Sequence, residues 1–307
     1  MNKSIMITGA NSGVGKETAR QLGMLDGTEK IYLACRNKDK ALEAKTDLEK
    51  QTGKQIFEII IMDISNLTSV RQTVNSLKNP IDALIMNAGG GGTDPMALTK
   101  DGVTEIFAAN VLGHALLLEE LIKSNKLVKT ALYVGSEASR GIPKMKMKLP
   151  PLKSSSVEEF ETIINGTFFN DKKVDGMIVY GQVKYVGEMW LAAMARKHSG
   201  IKMLSISPGS TQGTRTADAF SPVFRFFYNN LLMPFIFPMM GLSHKLETGA
   251  RRLVDGITNP SYKNGAFYGS KENVLVGPVI DQSTIFPDLK NEVYQDNAYE
   301  AVRRYIG

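Results

Sequence analysis

Residues 5–10 of this chain read IMITGA, an apolar run that breaks at once into Thr8-Gly9-Ala10-Asn11-Ser12-Gly13-Val14-Gly15. Lys16–Leu25 then continues with the spacing of a helix. A buried strand, a glycine turn and a helix in direct succession leave few folds open. Glycine is needed where a chain turns sharply, where backbone must approach a pyrophosphate, and where a helix packs closely on a strand. The helix start supplies free N–H groups and the positive end of the helix dipole. The bland reading is an ordinary glycine-rich turn. Its place between the first strand and the first helix favours a phosphate cradle, formed by Gly9, Asn11, Ser12, Gly13, Val14 and Gly15.

The rest of the chain repeats the same alternation. Short apolar runs at Ser4–Ile7, Ile31–Cys35, Phe57–Ile61, Ala83–Met86, Ala131–Val134 and Met203–Ile206 read as strands buried on both faces. Lys38–Lys50, Val70–Leu77, Val111–Lys123 and Tyr180–Lys197 read as helices between them. Right-handed crossovers then give an α/β fold: a doubly wound, Rossmann-like parallel sheet in three α/β/α layers. No repeat or Pro/Gly/Ser-rich linker divides the chain, so a single domain over residues 1–307 is expected. Two stretches break the rhythm: an insertion at about 140–179 and an aromatic, Met-rich, Pro-punctuated segment at about 218–246. Both follow strand ends on the side where open α/β sheets bind ligands, and both are read as covering substrate, the latter as a lid.

Composition excludes several classes. The formal charge is +6, but the basic residues are scattered, so nucleic acid is not an expected partner. Cys35 is the only cysteine, which rules out an internal disulfide and favours a reducing, cytoplasmic setting. The first strand leaves no room for a signal peptide, and Phe226–Leu242 is too short and too Pro-interrupted to cross a bilayer. Membrane contact is therefore expected to be peripheral at most. The three histidines lack metal-ligand spacing, and no metal is expected.

Tyr180 and Lys184 stand four apart in a helical stretch and so share a face. A phenol near pKa 10 exchanges protons poorly at neutral pH, and a neighbouring ammonium lowers that value. Among the ten tyrosines only Tyr180 has lysine at the fourth following position.

The glycine spacing (three residues, then one) resembles that of the single-domain short-chain dehydrogenases/reductases, and the resemblance recurs in order along residues 3–215. Asn87-Ala88-Gly89 follows the fourth strand, Asn110 opens a later helix, Ser136 ends the fifth strand, Tyr180-Gly181-Gln182-Val183-Lys184 begins a helix, and Pro208-Gly209 follows the sixth strand. The resemblance implies hydride chemistry on a nicotinamide cofactor. It implies that Ser136 hydrogen-bonds a substrate carbonyl, that Tyr180 delivers or removes the proton, that Lys184 serves both the phenol and the ribose, and that Asn110 interrupts helix geometry and keeps a water near Lys184. Asp63-Ile64 would border the adenine, and Asn87, Ala88, Gly89, Pro208, Gly209, Ser210 and Thr211 would complete the cofactor site. Where NAD-selective members carry an acid at the end of the second strand, this chain has Cys35-Arg36-Asn37, so Arg36 and Asn37 are expected to receive the 2′-phosphate of NADP(H).

Between Ser136 and Tyr180 lie 43 residues. Such insertions resemble those of carbonyl reductases and protochlorophyllide reductases, while Ala108-Ala109-Asn110-Val111-Leu112-Gly113-His114 is similar to the latter and to retinol dehydrogenases. These relatives act on large apolar substrates, which implies an apolar carbonyl or alcohol here. Protochlorophyllide reductases carry several cysteines around the pigment, and this chain has one. A C=C reductase of that kind, a nucleotide-sensing regulator and a membrane-surface protein are the alternatives. The insertion should mask the face that relatives use for tetramer packing, so a monomer is expected.

Overall fold

In the computed structural model the described residues are 2–307 apart from 93, 144–146, 171–173, 213–236 and 240. Eight strands form one sheet in the order β3-β2-β1-β4-β5-β6-β7-β8. They are β1 (Ser4–Thr8), β2 (Lys30–Cys35), β3 (Phe57–Ile61), β4 (Ile81–Met86), β5 (Leu127–Val134), β6 (Lys202–Ile206), β7 (Phe267–Ser270) and β8 (Val279–Asp281). All pairings are parallel except β7 with β8. Six strands were expected from apolar runs. The two additional ones are short and hold Gly269, Ser270 and Asp281, so no apolar run marks them.

Alternation within the strands explains the layers. Ile5, Ile7, Ala83, Ile85, Leu132 and Ile206 face one side, where they pack with Leu22, Leu48, Leu253 and Val254. These last belong to α1 (Gly13–Met24), α2 (Lys38–Thr52) and a helix at Leu246–Thr258. Met6, Leu84, Met86, Ala131 and Tyr133 face the other side, against Val70, Leu117, Val186 and Trp190. That side is covered by α3 (Leu67–Ser76), α4 (Glu105–Phe107) with its continuation α5 (Gly113–Lys123), and α7 (Gly176–Lys197). Fully burying an aliphatic side chain contributes about 1.5–3 kcal/mol, so a sheet greasy on both faces is stable only between two helical layers. The edge strand β3 departs from this: Ile61 is largely exposed.

Helix starts follow local chemistry. The Asn37, Asn66, Ser156 and Asp175 side chains accept backbone N–H groups at the starts of α2, α3, α6 (Val157–Ile164) and α7. Asp175 starts α7 more than a turn before Tyr180, which therefore lies inside the helix rather than beginning it. The second half of the 140–179 insertion packs into the body, since Phe160, Ile163 and Ile164 of α6 are buried with Tyr185 and the C-terminal segment. The helix at Leu246–Thr258 is α8, and α9 (Glu292–Arg303) packs on α7. The expected lid at 218–246 falls mostly outside the described residues. No helix among the described residues is long and apolar enough to cross a membrane.

Strand order reverses between β1 and β4. In open α/β sheets the ligand crevice lies outside the strand ends at such a point. Thr8, Asn87, Ser136 and Ser207 lie at or just past the ends of β1, β4, β5 and β6.

Candidate active site

The glycine turn is built around a missing side chain. A Cβ at Gly15 would lie 2.5 Å from the Gly9 carbonyl oxygen and overlap the Asn87 amide. That amide donates to the carbonyls of Thr8 (2.9 Å) and Gly9 (3.3 Å), latching the end of β4 onto the turn, while Gly9 itself takes φ +67°. Ser12 caps α1 in extended geometry without using its hydroxyl, and the first turn of α1 carries no acid. Its N–H groups are thus left for an anion. Asn11 and Val14 flank the turn, part-buried and buried.

At the end of β2 the buried Cys35 thiol accepts N–H groups from Ala10 and Asn11, and burial pushes it up to about 11, so it is a structural thiol rather than a nucleophile. Arg36 is exposed and has no hydrogen-bond or ion-pair partner among the described residues. The Asn37 side chain accepts from Lys40 N, so its carbonyl oxygen serves the helix cap. Asp63 accepts from the Ser65 amide and hydroxyl, and Ile64 is nearly buried beside it. Ala88 and Gly89 continue from the Asn87 latch.

Asn110 does not open a helix. It sits in a π-helical segment, Ala108–Leu112, between α4 and α5, where the Gly113 N–H reaches back to Ala108 O. Its side chain is fully committed: Nδ2 donates to the Gly90 and Ile106 carbonyls at 2.9 and 2.8 Å, and Oδ1 accepts from Gly90 N at 3.1 Å. One turn on, the buried His114 joins this segment to β1. Its Nδ1 lies 3.0 Å from the Asn110 carbonyl, which can only accept, so Nδ1 carries the proton. Nε2 then accepts from the Thr8 hydroxyl at 2.9 Å. Thr8 Oγ1 in turn accepts the amides of Asn87 and Ala88, each at 2.9 Å. Burial drives His114 down to about 4, which keeps it neutral.

Ser136 follows β5 and caps a turn at Glu137–Arg140 by accepting from Ala138 N. The Ser136 hydroxyl beside the Tyr180 phenol favours its ionised form, but burial of the hydroxyl end outweighs this and pushes the phenol up to about 12, although the ring is part-exposed. Lys184 is buried; Nζ donates to the Val134 carbonyl at 2.9 Å and lies 4.9 and 5.6 Å from the ring centres of Tyr133 and Tyr180. Desolvation brings it down to about 8. Ser136, Tyr180 and Lys184 thus converge, and Asn110 lies behind them in the π segment.

Pro208, Gly209, Ser210 and Thr211 follow β6. Ser210 N donates to Leu275 O, and His244 Nε2 donates to Pro208 O at 2.7 Å. Beneath them lies a buried charged network. Glu137 accepts from the Ser207 hydroxyl and from Ser270 N, and faces Arg252 at 3.9 Å. Arg252 donates to Ser207 O, Ser270 Oγ and Gly277 O. Sequence reasoning missed Glu137, His114, Glu188 and Arg252, because nothing in their spacing distinguishes them from solvated charges or a packed histidine. Glu188 is buried, with Oε1 3.0 Å from the Ser136 amide. Among the described residues no group of three His, Cys, Asp or Glu could hold a metal ion.

The chain is similar in fold to several solved enzymes. L-sorbose reductase of Gluconobacter frateurii, solved with NADPH and L-sorbose, superposes with TM-score 0.63 at 16% identity, over 90% of this chain and 97% of that one. A short chain dehydrogenase of Burkholderia cenocepacia, solved with NADP, gives 0.60 at 18%, over 89% and 97%. In sequence, a pea protochlorophyllide reductase is 29% identical over 88% of this chain and 70% of its own length. The human dehydrogenase/reductase SDR family member 12 is 29% identical over 69% of this chain and 62% of its length. The short chain dehydrogenase family profile matches residues 3–138, the part that holds the glycine turn, the Asn87 latch and Ser136. A short-chain dehydrogenase/reductase of Armillaria gallica is 31% identical over 80% of this chain and 76% of its own, carrying the match past Tyr180 and Lys184. On that extent of likeness, and with this sheet order, the chain belongs to the short-chain dehydrogenase/reductase family of oxidoreductases.

Proposed function

We propose that the chain interconverts a carbonyl and an alcohol on an apolar small molecule, using NADP(H). The observation that carries this reading is the convergence of Ser136, Tyr180 and Lys184 at the end of β5, one strand from the strand-order reversal. NADPH, when bound, supplies the hydride. The residues fit such a group: the α1 N-terminus is free of acids, a Cβ at Gly15 would fill the cradle, and Arg36 offers an unpaired guanidinium at the end of β2.

The side chains of this chain handle the carbonyl oxygen. Ser136 donates a hydrogen bond to it. Tyr180, held in its neutral form by burial, retains a proton to give as the oxygen gains charge. Lys184 is still mostly charged at neutral pH and stabilises the phenolate that results. Asn110 and His114 hold the π segment behind the site. An apolar substrate is supported by the exposed Val174 and Met177, just before Tyr180, and by the aromatic composition of 218–246. A single domain and a monomer complete the reading.

The test is NADPH oxidation against a panel of aromatic and aliphatic aldehydes and ketones. Tyr180→Phe is expected to lower turnover about 10²–10⁴-fold while NADPH still binds. A near-normal rate in that variant would refute the mechanism. The likeness to the pea enzyme supports a second reading, reduction of a C=C bond. Turnover of protochlorophyllide, with none of the carbonyl panel, would establish it instead.

A further inference from the structure

Glu188 is the one carboxyl buried on the same face of α7 as Tyr180 and Lys184, four residues beyond the lysine. It does not reach Lys184 as an ion pair. It reaches the end of β5 instead, where Oε1 accepts the Ser136 backbone N–H at 3.0 Å. The Ser139 hydroxyl donates to the Ser136 carbonyl at 2.9 Å. Oε2 is buried with no partner among the described residues. A Cβ at Gly135 would stand 2.7 Å from Oε1, so the strand end is shaped around this carboxyl. Both peptide groups of Ser136 are thereby held, its N–H by Glu188 and its carbonyl by Ser139.

We propose that Glu188 is a positioning residue, which fixes the Ser136 turn against α7. The proposal rests on the assignment of Ser136, Tyr180 and Lys184 above, but it requires no knowledge of the substrate. A leucine or methionine would fill this space at lower desolvation cost, yet could not accept the Ser136 amide. The groups whose charge bears on the carboxyl are Tyr133 of β5, Glu137 and Arg140 of the turn after it, and Tyr180 and Lys184 of α7 itself. Burial pushes Glu188 up to about 8, with the charge of Glu137 adding to that; the Ser139 hydroxyl, the Ser136 amide and the charge of Lys184 oppose it, and at neutral pH the carboxyl is mostly protonated.

The proposal can be tested in the full-length protein without cofactor or substrate. Glu188→Ala removes the acceptor, Glu188→Gln keeps an acceptor oxygen, and Glu188→Met fills the space without one. Amide hydrogen exchange over residues 133–139 is expected to rise about tenfold or more in Glu188→Ala and Glu188→Met and to stay near wild type in Glu188→Gln. A residue that merely filled space would leave exchange in Glu188→Met at the wild-type rate. Wild-type exchange at Ser136 in folded Glu188→Ala or Glu188→Met, or exchange in Glu188→Gln as fast as in Glu188→Ala, overturns the proposal. Should Glu188→Ala not fold, Glu188→Met against Glu188→Gln decides alone. An inactive wild-type enzyme would instead count against the proposed function and leave the exchange readout intact.

Discussion

Replacing His114 should flatten the dependence of stability on pH. The imidazole is buried and neutral, donating to the Asn110 carbonyl and accepting from Thr8, and burial places it at about 4 against an ordinary 6.5. A histidine whose folded value is depressed contributes its full share above the unfolded value and loses it as pH falls through the folded one. The window is therefore about pH 6.5 down to 4. At about 1.4 kcal/mol per tenfold, the full displacement is worth about 3 kcal/mol, of which about 2 is already gone at pH 5. His114→Gln carries no titrating group, so its stability should fall less than that of the wild type over this interval. His114→Leu should also cost about 2–4 kcal/mol at pH 7.5, because the Asn110 carbonyl loses its buried donor. The assay is urea unfolding at pH 7.5, 6.5, 5.5 and 5.0, with the variant-minus-wild-type difference plotted against pH. Each protein shares every other titrating group, so the difference isolates His114. Parallel curves for wild type and His114→Gln would refute the argument, because they would mean that the imidazole takes up its proton equally in both states.

Arg36→Glu should weaken NADPH binding about 10- to 100-fold and leave NADH binding little changed, since it replaces a charge-assisted donor with a repelling carboxylate; nucleotide fluorescence titration measures both. Gly15→Ala should cost about 1–3 kcal/mol through its collision with the Gly9 carbonyl and the Asn87 latch, and should abolish the thermal shift caused by NADPH. Arg252→Met should destabilise by about 3–5 kcal/mol in urea unfolding, because it strands Glu137, and adding Glu137→Gln should recover part of the loss.

Much of this molecule could be read along the chain because its determinants are local. Strand and helix types follow from periodicity, and the first six strands announce themselves as apolar runs. The glycine turn follows from the backbone's need for open space, and the Tyr180–Lys184 pair from one turn of helix. The last two strands are not legible in the same way. β7 and β8 are held by pairing with β6 and with each other, and their residues Gly269, Ser270 and Asp281 carry no strand signal of their own. Only the tertiary structure decided what surrounds the reacting groups. Glu188 becomes a tether for Ser136 because α7 lies against the end of β5, and His114 becomes neutral because α5 buries it on Thr8. Glu137 and Arg252, 115 residues apart, become partners only when β6 and β7 bring them together. The identity of a side chain is local, whereas its charge, its hydrogen-bond partners and its cost of desolvation belong to the neighbours that folding brings to it.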